Sequence, residues 1–443
     1  MGMTKAPKVS VIIAVYNSER YLEQCLTSLV EQDFAHSDYE ILCVDDGSTD
    51  RSGAIMQRFK RTYPDLFRLY RQEEKTDGAA AARNLGLSKV RGKYVFILDA
   101  DDFFEKDLLS TAYHEAETTC SDILIYNGWS YDDKSGTEYK PDFILRRDFL
   151  PQQNVFAPAE NAAQLFQMTL GAAWNLCMRR ELIEREHLRF SSFHHADDLG
   201  FVYLGFAVAR RIAICNKRLV HYRQNTGISQ ANHIDAWGDT CYRALASLKE
   251  DLVRRELYDR YKISFAYLSL IYLRFYLDGM QTAVHFISLY QQFREKYLAD
   301  FDTLALTRED VRDESLLVLR DTILAHSAEE YLFQGMRSQK NCMDQWRRRL
   351  PDGVKRIAVY GAGRYGTDVV CDILKRKDYR LVVWVDQRAL ADHLSLVRQP
   401  SEIRLHAKEI EAIYIAILSK TARCEVTSTL LELGIDKKKI VQW

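Results

Sequence analysis

Apolar and polar residues follow one another along the N-terminal part of the chain in blocks that predict strands and helices in turn. Continuous apolar runs predict buried strands, and apolar residues spaced three or four positions apart predict helices between them. The predicted strands are Val9 to Val15, Ile41 to Val44, Leu66 to Tyr70 and Tyr94 to Leu98. The predicted helices begin near Glu19, Ser52 and Ala79. This rhythm is typical of a mostly parallel sheet covered by helices, in which ligands bind at the carboxyl ends of the strands.

The pattern changes further along the chain. Residues 127–160 contain polar clusters and prolines and are predicted to be irregular, as a lid or an acceptor loop would be. From residue 235 to 350 the pattern is helical and heavily charged, and a second βαβ pattern begins after it at Val354. The sequence therefore predicts an α/β protein with a first domain over 1–234, a helical extension over 235–350 and a small Rossmann-like domain over 351–443.

Charge and cysteine usage exclude two classes of protein. Lys and Arg number 61 against 62 Asp and Glu, so the net charge is −1, without the basic footprint of a nucleic-acid binder. Nine cysteines without a C-x-x-C pair argue against a disulfide framework and fit a reducing cytosol.

No segment of the sequence is typical of membrane insertion. The first residues lack the apolar core of a signal peptide, and the longest apolar stretch, Phe265 to Tyr276, is interrupted by Arg274. We therefore expect a cytoplasmic protein, and peripheral contact with the inner face of the membrane stays open.

Acidic residues are crowded directly after the fourth predicted strand, in Asp99-Ala100-Asp101-Asp102. Carboxylates this close repel one another unless a cation neutralises them, and their hard oxygen atoms suit Mg²⁺ or Mn²⁺. A cation held by one or two carboxylates keeps open positions that a diphosphate can fill. The cluster thus predicts metal-assisted chemistry on a nucleotide-linked substrate. The alternative is a solvated turn in which Asp102 caps a helix that begins near Glu105.

Two more loops are predicted to lie at the same edge of the sheet. Tyr16-Asn17 follows the first strand, and Asp45 to Asp50 follows the second. A dinucleotide dehydrogenase would carry a Gly-rich phosphate loop after the first strand, and this chain has none there. The nucleotide of this domain must therefore be held by carboxylates and a cation.

Four segments in this order resemble the motifs of glycosyltransferase family 2, whose members have the GT-A fold. They are Val9 to Asn17, Val44 to Asp50, Ala82 to Gly86 and Gly92 to Asp102. The resemblance covers roughly residues 8–230. It implies a metal-dependent, inverting transfer of a sugar from a nucleoside diphosphate, expected to be UDP, to a hydroxyl of a glycan or lipid-linked acceptor in cell-surface polysaccharide synthesis.

The resemblance assigns donor-side roles to four aspartates. Asp46 matches the residue that accepts a hydrogen bond from the base, which suits the N–H of uracil because a carboxylate only accepts. Asp45 is expected to support that turn. Asp99 is similar to the residue near the ribose, and Asp101 to the direct metal ligand of the Asp-x-Asp motif.

Other positions follow from the same resemblance. The backbone at Ala14 and Tyr16 is expected to pack along the base. Arg83 is expected either near the nucleotide or in a salt bridge with one of the aspartates. Asp198 aligns with the catalytic base, which must lie opposite the leaving diphosphate. Asp197 stands where the family has Glu, so its contact with donor or acceptor stays open. The alternative for this acidic pair is a solvated helix start.

Three further residues are assigned to contacts with the acceptor or the diphosphate. Trp174 would either stack on an acceptor sugar ring or pack in the core. The segment from His221 to Arg223, followed by Ser229, resembles the closing strand and loop of the family. His221 or Arg223 would touch the diphosphate there.

The last predicted domain carries its own glycine motif. Gly361, Gly363 and Gly366 follow a strand and open a helix, and Asp386 ends the next strand. The functional interpretation is a nucleotide site, and the alternative function for the whole chain is a nucleotide-binding oxidoreductase or sensor. The competing interpretation is that the glycines serve helix–strand packing in a module for partner contact or homo-oligomer assembly.

Overall fold

The computed structural model of the chain divides into two compact units. It describes residues 6–72, 78–193, 196–224, 226, 238–280, 282–335, 346–362, 364–376, 378–387, 389, 396–417 and 420–442. The first unit comprises 1–232, 239–269 and 301–311, and the second comprises 233–238, 270–300 and 312–443. The three-domain division stays a prediction.

One mixed sheet organises the first unit. Its strands are β1 (Val9–Val15), β2 (Tyr39–Asp45), β3 (Phe67–Arg71), β4 (Tyr94–Asp99), β5 (Phe103–Phe104), β6 (Ile123–Asp132), β7 (Thr137–Tyr139), β8 (Val155–Phe156), β9 (Leu176–Arg179) and β10 (Ile212–Gln224). The main path runs β3-β2-β1-β4-β9-β6-β10-β5. Strands β3, β2, β1 and β4 are parallel, whereas β9 is antiparallel to both β4 and β6. The loops after β1, β2 and β4 therefore meet at one edge, as predicted.

In the described part of the chain, eight α-helices belong wholly or partly to this unit. They are α1 (Leu22–Val30), α2 (Ser52–Thr62), α3 (Ala80–Leu87), α4 (Leu108–Thr118), α5 (Arg180–Arg185), α6 (Asp198–Val208), α7 (Gly238–Arg254) and the first half of α8 (Tyr258–Gly279). Helix α1 shows why they form, because its buried residues Leu22, Cys25, Leu26 and Leu29 recur at helical spacing and join the core beneath β1.

Helix α8 is tied into the first unit by buried hydrogen bonds. The Ser264 hydroxyl accepts from the backbone N–H of Phe166 at 2.8 Å and donates to Oε1 of Gln167 at 2.9 Å. The amide of Gln167 donates in turn to the Ser264 carbonyl at 2.8 Å. Because all these atoms are buried, each would lose its partner without the other segment.

Two expectations about local structure need correction. Residues 127–132 are not irregular but complete β6, which runs beside β10 in parallel. The polar residues Asn127 and Ser130 interrupted the apolar pattern although both are buried in the strand. The helix expected near Glu105 begins at Leu108, and Asp102 does not cap it.

A second, wholly parallel sheet organises the other unit. Its strands are β11 (Arg356–Tyr360), β12 (Arg380–Val385), β13 (Val397–Arg398), β14 (Ala412–Ile415) and β15 (Ile440–Gln442), in the order β13-β12-β11-β14-β15. The remaining helices are α9 (Ala283–Gln292), α10 (Leu298–Asp300), α11 (Glu314–Ala325), α12 (Ala328–Gly335), α13 (Arg364–Lys375), α14 (Ile403–His406) and α15 (Lys420–Glu432). The predicted α/β class is confirmed. Within the ranges described above, no helix has both the length and the apolar character needed to cross a bilayer.

Candidate active site

Hydrogen bonds tie the loops after β1 and β2 to each other. Asn17 adopts a left-handed backbone with φ 45°, which Asn tolerates better than most residues. Its side-chain oxygen accepts from the backbone N–H of Thr49 at 2.8 Å, and its own N–H donates to the Ser48 hydroxyl at 3.1 Å. Asp50 accepts from the N–H of Glu19 at 2.9 Å. This rim of the sheet edge is therefore preorganised.

The predicted donor-side residues lie together on that rim. Ala14 is in register with Asp99 on the neighbouring strand β4. Asp45 accepts from the N–H of Ser48 at 2.8 Å, which is the turn-supporting contact expected of it. Asp46 follows Asp45 directly and is only 5% exposed. Its backbone N–H donates a hydrogen bond to the Val15 carbonyl. Tyr16, in contrast, is 43% exposed, so its ring is accessible to a flat ligand.

Three carboxylates after β4 form a candidate cation site. Asp99, Asp101 and Asp102 each offer an oxygen, and the three oxygens lie within 4.8 Å of one another. Burial and the charge of Asp99 raise the pKa of Asp101 to about 6. Burial, followed by the charges of Asp101 and Asp99, raises the pKa of Asp102 well above its usual value. Burial is the larger cause of both shifts, and the repulsion that adds to it is one that a divalent cation would relieve.

The surroundings of the three carboxylates fit an oxygen-preferring cation. Oδ2 of Asp102 is buried and has no hydrogen-bond partner among the described residues. None of those residues donates a side-chain hydrogen bond to the Asp101 carboxylate. A buried carboxylate oxygen without a donor, beside two further carboxylates, matches the ligands of Mg²⁺ or Mn²⁺. Asp101, the predicted ligand, and Asp102 could hold the ion, with Asp99 beside them.

Arg223 braces the acidic loop, which carries Asp99, Asp101 and Asp102, through hydrogen bonds. Its Nε donates to the Asp101 carbonyl at 2.7 Å, and its two terminal nitrogens donate to Asp133 at 2.8 Å and Gln24 at 2.7 Å. Its backbone N–H donates to Oδ1 of Asp102 at 2.7 Å. With the side chain 4% exposed and each of its three nitrogens already donating a hydrogen bond, the structure favours this bracing role over the predicted diphosphate contact.

Replacing Arg223 by glutamine is expected to destabilise the first unit by about 2–4 kcal/mol, because it removes a buried charge from a hydrogen-bonded network. Arg20→Gln is the matched control, since Arg20 contacts the same Asp133 from a side chain that is 66% exposed. We expect the control to cost less than about 1 kcal/mol. Urea unfolding followed by tryptophan fluorescence measures both. Equal losses would contradict the bracing role.

Arg83 joins Asp99 to Asp197, the residue before the predicted base. One terminal nitrogen donates to Asp99 at 2.9 Å and the other to Asp197 at 2.9 Å. The guanidinium lies 5.2 Å from the centre of the Phe190 ring, and its Nε is buried without a partner among the described residues. Burial acts to lower the pKa of Arg83, but the charges of Asp197 and Asp99 outweigh it and raise this pKa. Of the two roles predicted for Arg83, the structure shows the salt bridge.

Asp197 and Asp198 stand at the start of α6. Ala196 before them has a left-handed φ of 60°, a strained conformation for alanine that holds the tight turn into the helix. Burial raises the pKa of Asp197. Burial and the neighbouring charge of Asp197 raise the pKa of Asp198 to about 7. A pKa raised in this way favours Asp198 as a proton acceptor over a fully solvated carboxylate at a helix start.

The structure places the other acceptor-side candidates inside the protein. Trp174 is 4% exposed and stacks on Tyr222, with ring centres 4.9 Å apart. His221 stacks on Phe103 at 4.3 Å and lies between two carboxylates, 3.1 Å from Glu105 and 2.7 Å from Glu138. The structure favours core packing for the indole and contacts within the protein for the imidazole over contact with a ligand.

The glycine motif of the second unit is engaged in its own packing. Gly361 has φ 113°, and its carbonyl accepts from the indole N–H of Trp384 at 2.9 Å. A Cβ on Gly366 would lie 1.9 Å from that same carbonyl. Asp386 is buried and accepts from the N–H of Ala362 at 2.7 Å. Gly363 lies outside the described residues. These contacts favour the packing interpretation of the motif.

Residues 10–186 match the family model described as Glycosyl transferase family 2. Among curated proteins, the chain is 29% identical over 230 residues to the glycosyltransferase GlyG of Streptococcus pneumoniae, a match that covers 51% of this chain and 74% of GlyG. It is 37% identical over 143 residues to a poly(ribitol-phosphate) beta-glucosyltransferase of Bacillus spizizenii, covering 31% of this chain and 22% of that protein. The chain thus spans less than a third of this second relative.

A solved structure is also similar. It is S. aureus TarS 1–349 in complex with UDP, with a TM-score of 0.45 and 20% sequence identity. The match covers 78% of this chain and 95% of that one.

Proposed function

We propose, because residues 10–186 match the glycosyl transferase family 2 model, that the enzyme transfers a sugar with inversion from a nucleoside diphosphate to an acceptor hydroxyl. The observation that carries this proposal is the Arg83 bridge. One guanidinium contacts Asp99 of the donor-side loop and Asp197 beside the predicted base, each at 2.9 Å. Donor-side and acceptor-side carboxylates therefore belong to one site, as a direct displacement requires.

The donor is proposed to be a UDP-sugar. Asp46 lies on the preorganised rim next to the exposed Tyr16. A carboxylate accepts hydrogen bonds without donating, so it suits the N–H of uracil. Asp99, in register with Ala14 on the strand beside it, would face the ribose. The base would thus lie along β1 and the diphosphate toward the acidic loop.

Asp101 and Asp102 are the residues that would hold Mg²⁺ or Mn²⁺. When bound, such an ion neutralises charge on a departing diphosphate. The chain's own contribution is to hold the loop in place through Arg223, which donates to the Asp101 backbone carbonyl and to one carboxylate oxygen of Asp102. A preorganised loop loses little entropy when the ion and the donor bind.

Asp198 would act as the general base. It accepts the proton of the acceptor hydroxyl while that oxygen bonds to the anomeric carbon and the bond from this carbon to the diphosphate oxygen breaks. Arg83 fixes the neighbouring Asp197 at 2.9 Å and so orients the start of α6. The raised pKa of Asp198 strengthens it as a base compared with an exposed carboxylate.

The acceptor is proposed to be a glycan or lipid-linked glycan used in cell-surface polysaccharide synthesis in the cytoplasm. A relative named for poly(ribitol-phosphate) supports a hydroxyl-rich acceptor. The alternative of an oxidoreductase or sensor loses support because Gly361, Ala362 and Asp386 satisfy hydrogen bonds within the protein.

The pH dependence of kcat/KM should show the ionisation of Asp198. Since its pKa is raised to about 7, the rate is expected to fall as pH drops below that value, because the protonated carboxyl cannot accept a second proton. Initial rates from about pH 5 to about pH 9 measure this limb. A rate that stays flat down to about pH 5 would contradict the assignment.

A donor panel tests the function itself. UDP- and GDP-sugars are offered to the full chain with Mn²⁺ or with EDTA, and donor hydrolysis and thermal shift are measured. We expect at least one UDP-sugar to be hydrolysed and to stabilise the protein, and only when the metal is present. Stabilisation by GDP-sugars alone would overturn the UDP assignment, and no response to any donor would overturn the proposed function.

A further inference from the structure

A cavity lies at the C-terminal end of helix α6, whereas the candidate base Asp198 stands at the start of that helix. The volume of the cavity is about 570 Å³. It is lined by Ala157–Ala159, by Glu186 and by 207–210, which comprise the last two residues of α6 and the two that follow it. Residues between the end of α7 and the end of the first turn of α8 complete the lining. Helix α6 has 11 residues, so about 16 Å of helix separates this cavity from Asp198. It is therefore a separate site.

Cationic side chains dominate the cavity. Arg210, Arg255 and Arg260 line it, against the single carboxylate of Glu186. That carboxylate is already shared, because it also accepts from Arg185 at 2.8 Å. Arg210 and Arg260 are exposed, and neither forms an ion pair within the described part of the chain. Positive charge is left over around the cavity, and an anion would neutralise it.

Hydrogen bonds within the protein hold the side chain of Arg255 in the wall of the cavity. The two terminal nitrogens of Arg255 donate to the carboxylate and to the carbonyl of Glu186, each at 2.8 Å. Its Nε is buried and has no partner among the described residues. Tyr261 is buried beside it, with its hydroxyl 3.4 Å from the Ala207 carbonyl. The arginine is thus held by protein contacts rather than by solvent.

We propose that this cavity binds a phosphate group. Several guanidinium groups around one cavity offer more donors than a carboxylate can accept, whereas a phosphate has three oxygens and nearly two charges. The phosphate can belong to a free phosphorylated compound or to an anionic lipid headgroup, and both present the same chemistry. Apolar wall residues such as Pro158, Val208 and Leu257 leave room for the uncharged part of such a ligand.

The test removes the two exposed arginines. Inorganic phosphate is titrated calorimetrically into the full chain in EDTA, which keeps cation-dependent binding at the donor site out of the measurement. We expect Arg210→Gln with Arg260→Gln to weaken phosphate binding by about tenfold or more. The matched control, Arg61→Gln with Arg147→Gln, removes the same charge from exposed positions elsewhere and should stay within about twofold of the wild type.

A second arm identifies the source of the phosphate. Co-sedimentation with phosphatidylglycerol vesicles, compared with phosphatidylcholine vesicles, shows whether a lipid headgroup is bound in an arginine-dependent way. Arginine-dependent phosphate binding without sedimentation would assign a free phosphorylated ligand. Equal phosphate affinities in the wild type and both double variants would overturn the proposal. UDP binding and sugar transfer should survive in all three proteins, so failure here leaves the proposed function untouched.

Discussion

Asp198→Asn is expected to lower the rate of sugar transfer by about a thousandfold or more while UDP binding changes by less than about twofold. The amide keeps the shape of the carboxylate but cannot take up the hydroxyl proton. Asp198 is placed on the acceptor side, so the donor should bind as before. Single-turnover transfer and UDP titration measure the two quantities separately.

Asp197→Asn is the control for this experiment. The amide oxygen can still accept from Arg83, but the negative charge that raises the pKa of Asp198 is gone. We therefore expect moderate transfer activity and an acidic limb of the pH profile that moves to lower pH. Transfer by the Asp198→Asn protein at more than about a tenth of the wild-type rate would remove Asp198 from the role of base.

Asp101→Ala is expected to weaken metal-dependent UDP binding by about a hundredfold and to abolish transfer with it. Asp101 matches the direct metal ligand in the family resemblance, and its carboxylate lies with those of Asp99 and Asp102, their oxygens within 4.8 Å of one another. Binding of UDP is measured with Mn²⁺ and with EDTA. The wild type should bind more tightly with the metal, and the variant should bind equally weakly in both conditions.

The control for Asp101→Ala is Asp65→Ala. It removes an exposed carboxylate that does not belong to the acidic loop. It should leave the metal dependence of UDP binding unchanged. If the wild type binds UDP equally well in EDTA, the cation site is refuted while the transferase assignment can still hold.

The first half of the fold was predictable where burial is uniform. Strand β1 has the predicted bounds, Val9 and Val15, because the sheet buries nearly all of its residues and the sequence there is apolar. Strand β6 was missed because the buried Asn127 and Ser130 look like loop residues when their partners are unknown. Polar residues inside a strand carry no local signal of burial, and even a local partner gives none, because the Asn127 amide oxygen accepts from the backbone N–H of Gly128 at 2.8 Å.

The same reasoning explains the site. The clustering of Asp99, Asp101 and Asp102 followed from nearby positions at the end of one strand, and the placement of Asp46 at the same edge followed from parallel strands that end there. The brace formed by Arg223 did not, because its partner Asp133 lies 90 positions away along the chain. An arginine in a motif shows that a charge is present, and only tertiary structure shows which acceptors surround it.

The buried bonds between Gln167 and Ser264 also set how the enzyme can be shortened for study. A fragment that stops before α7 would expose hydrogen-bonding groups of Phe166 and Gln167 to water and lose the helices packed over them. Because the first unit also includes residues 301–311, a truncated protein that keeps this unit whole must extend to Val311. Such a fragment is the smallest one suited to crystallisation of the donor site or to isotope labelling for spectroscopy.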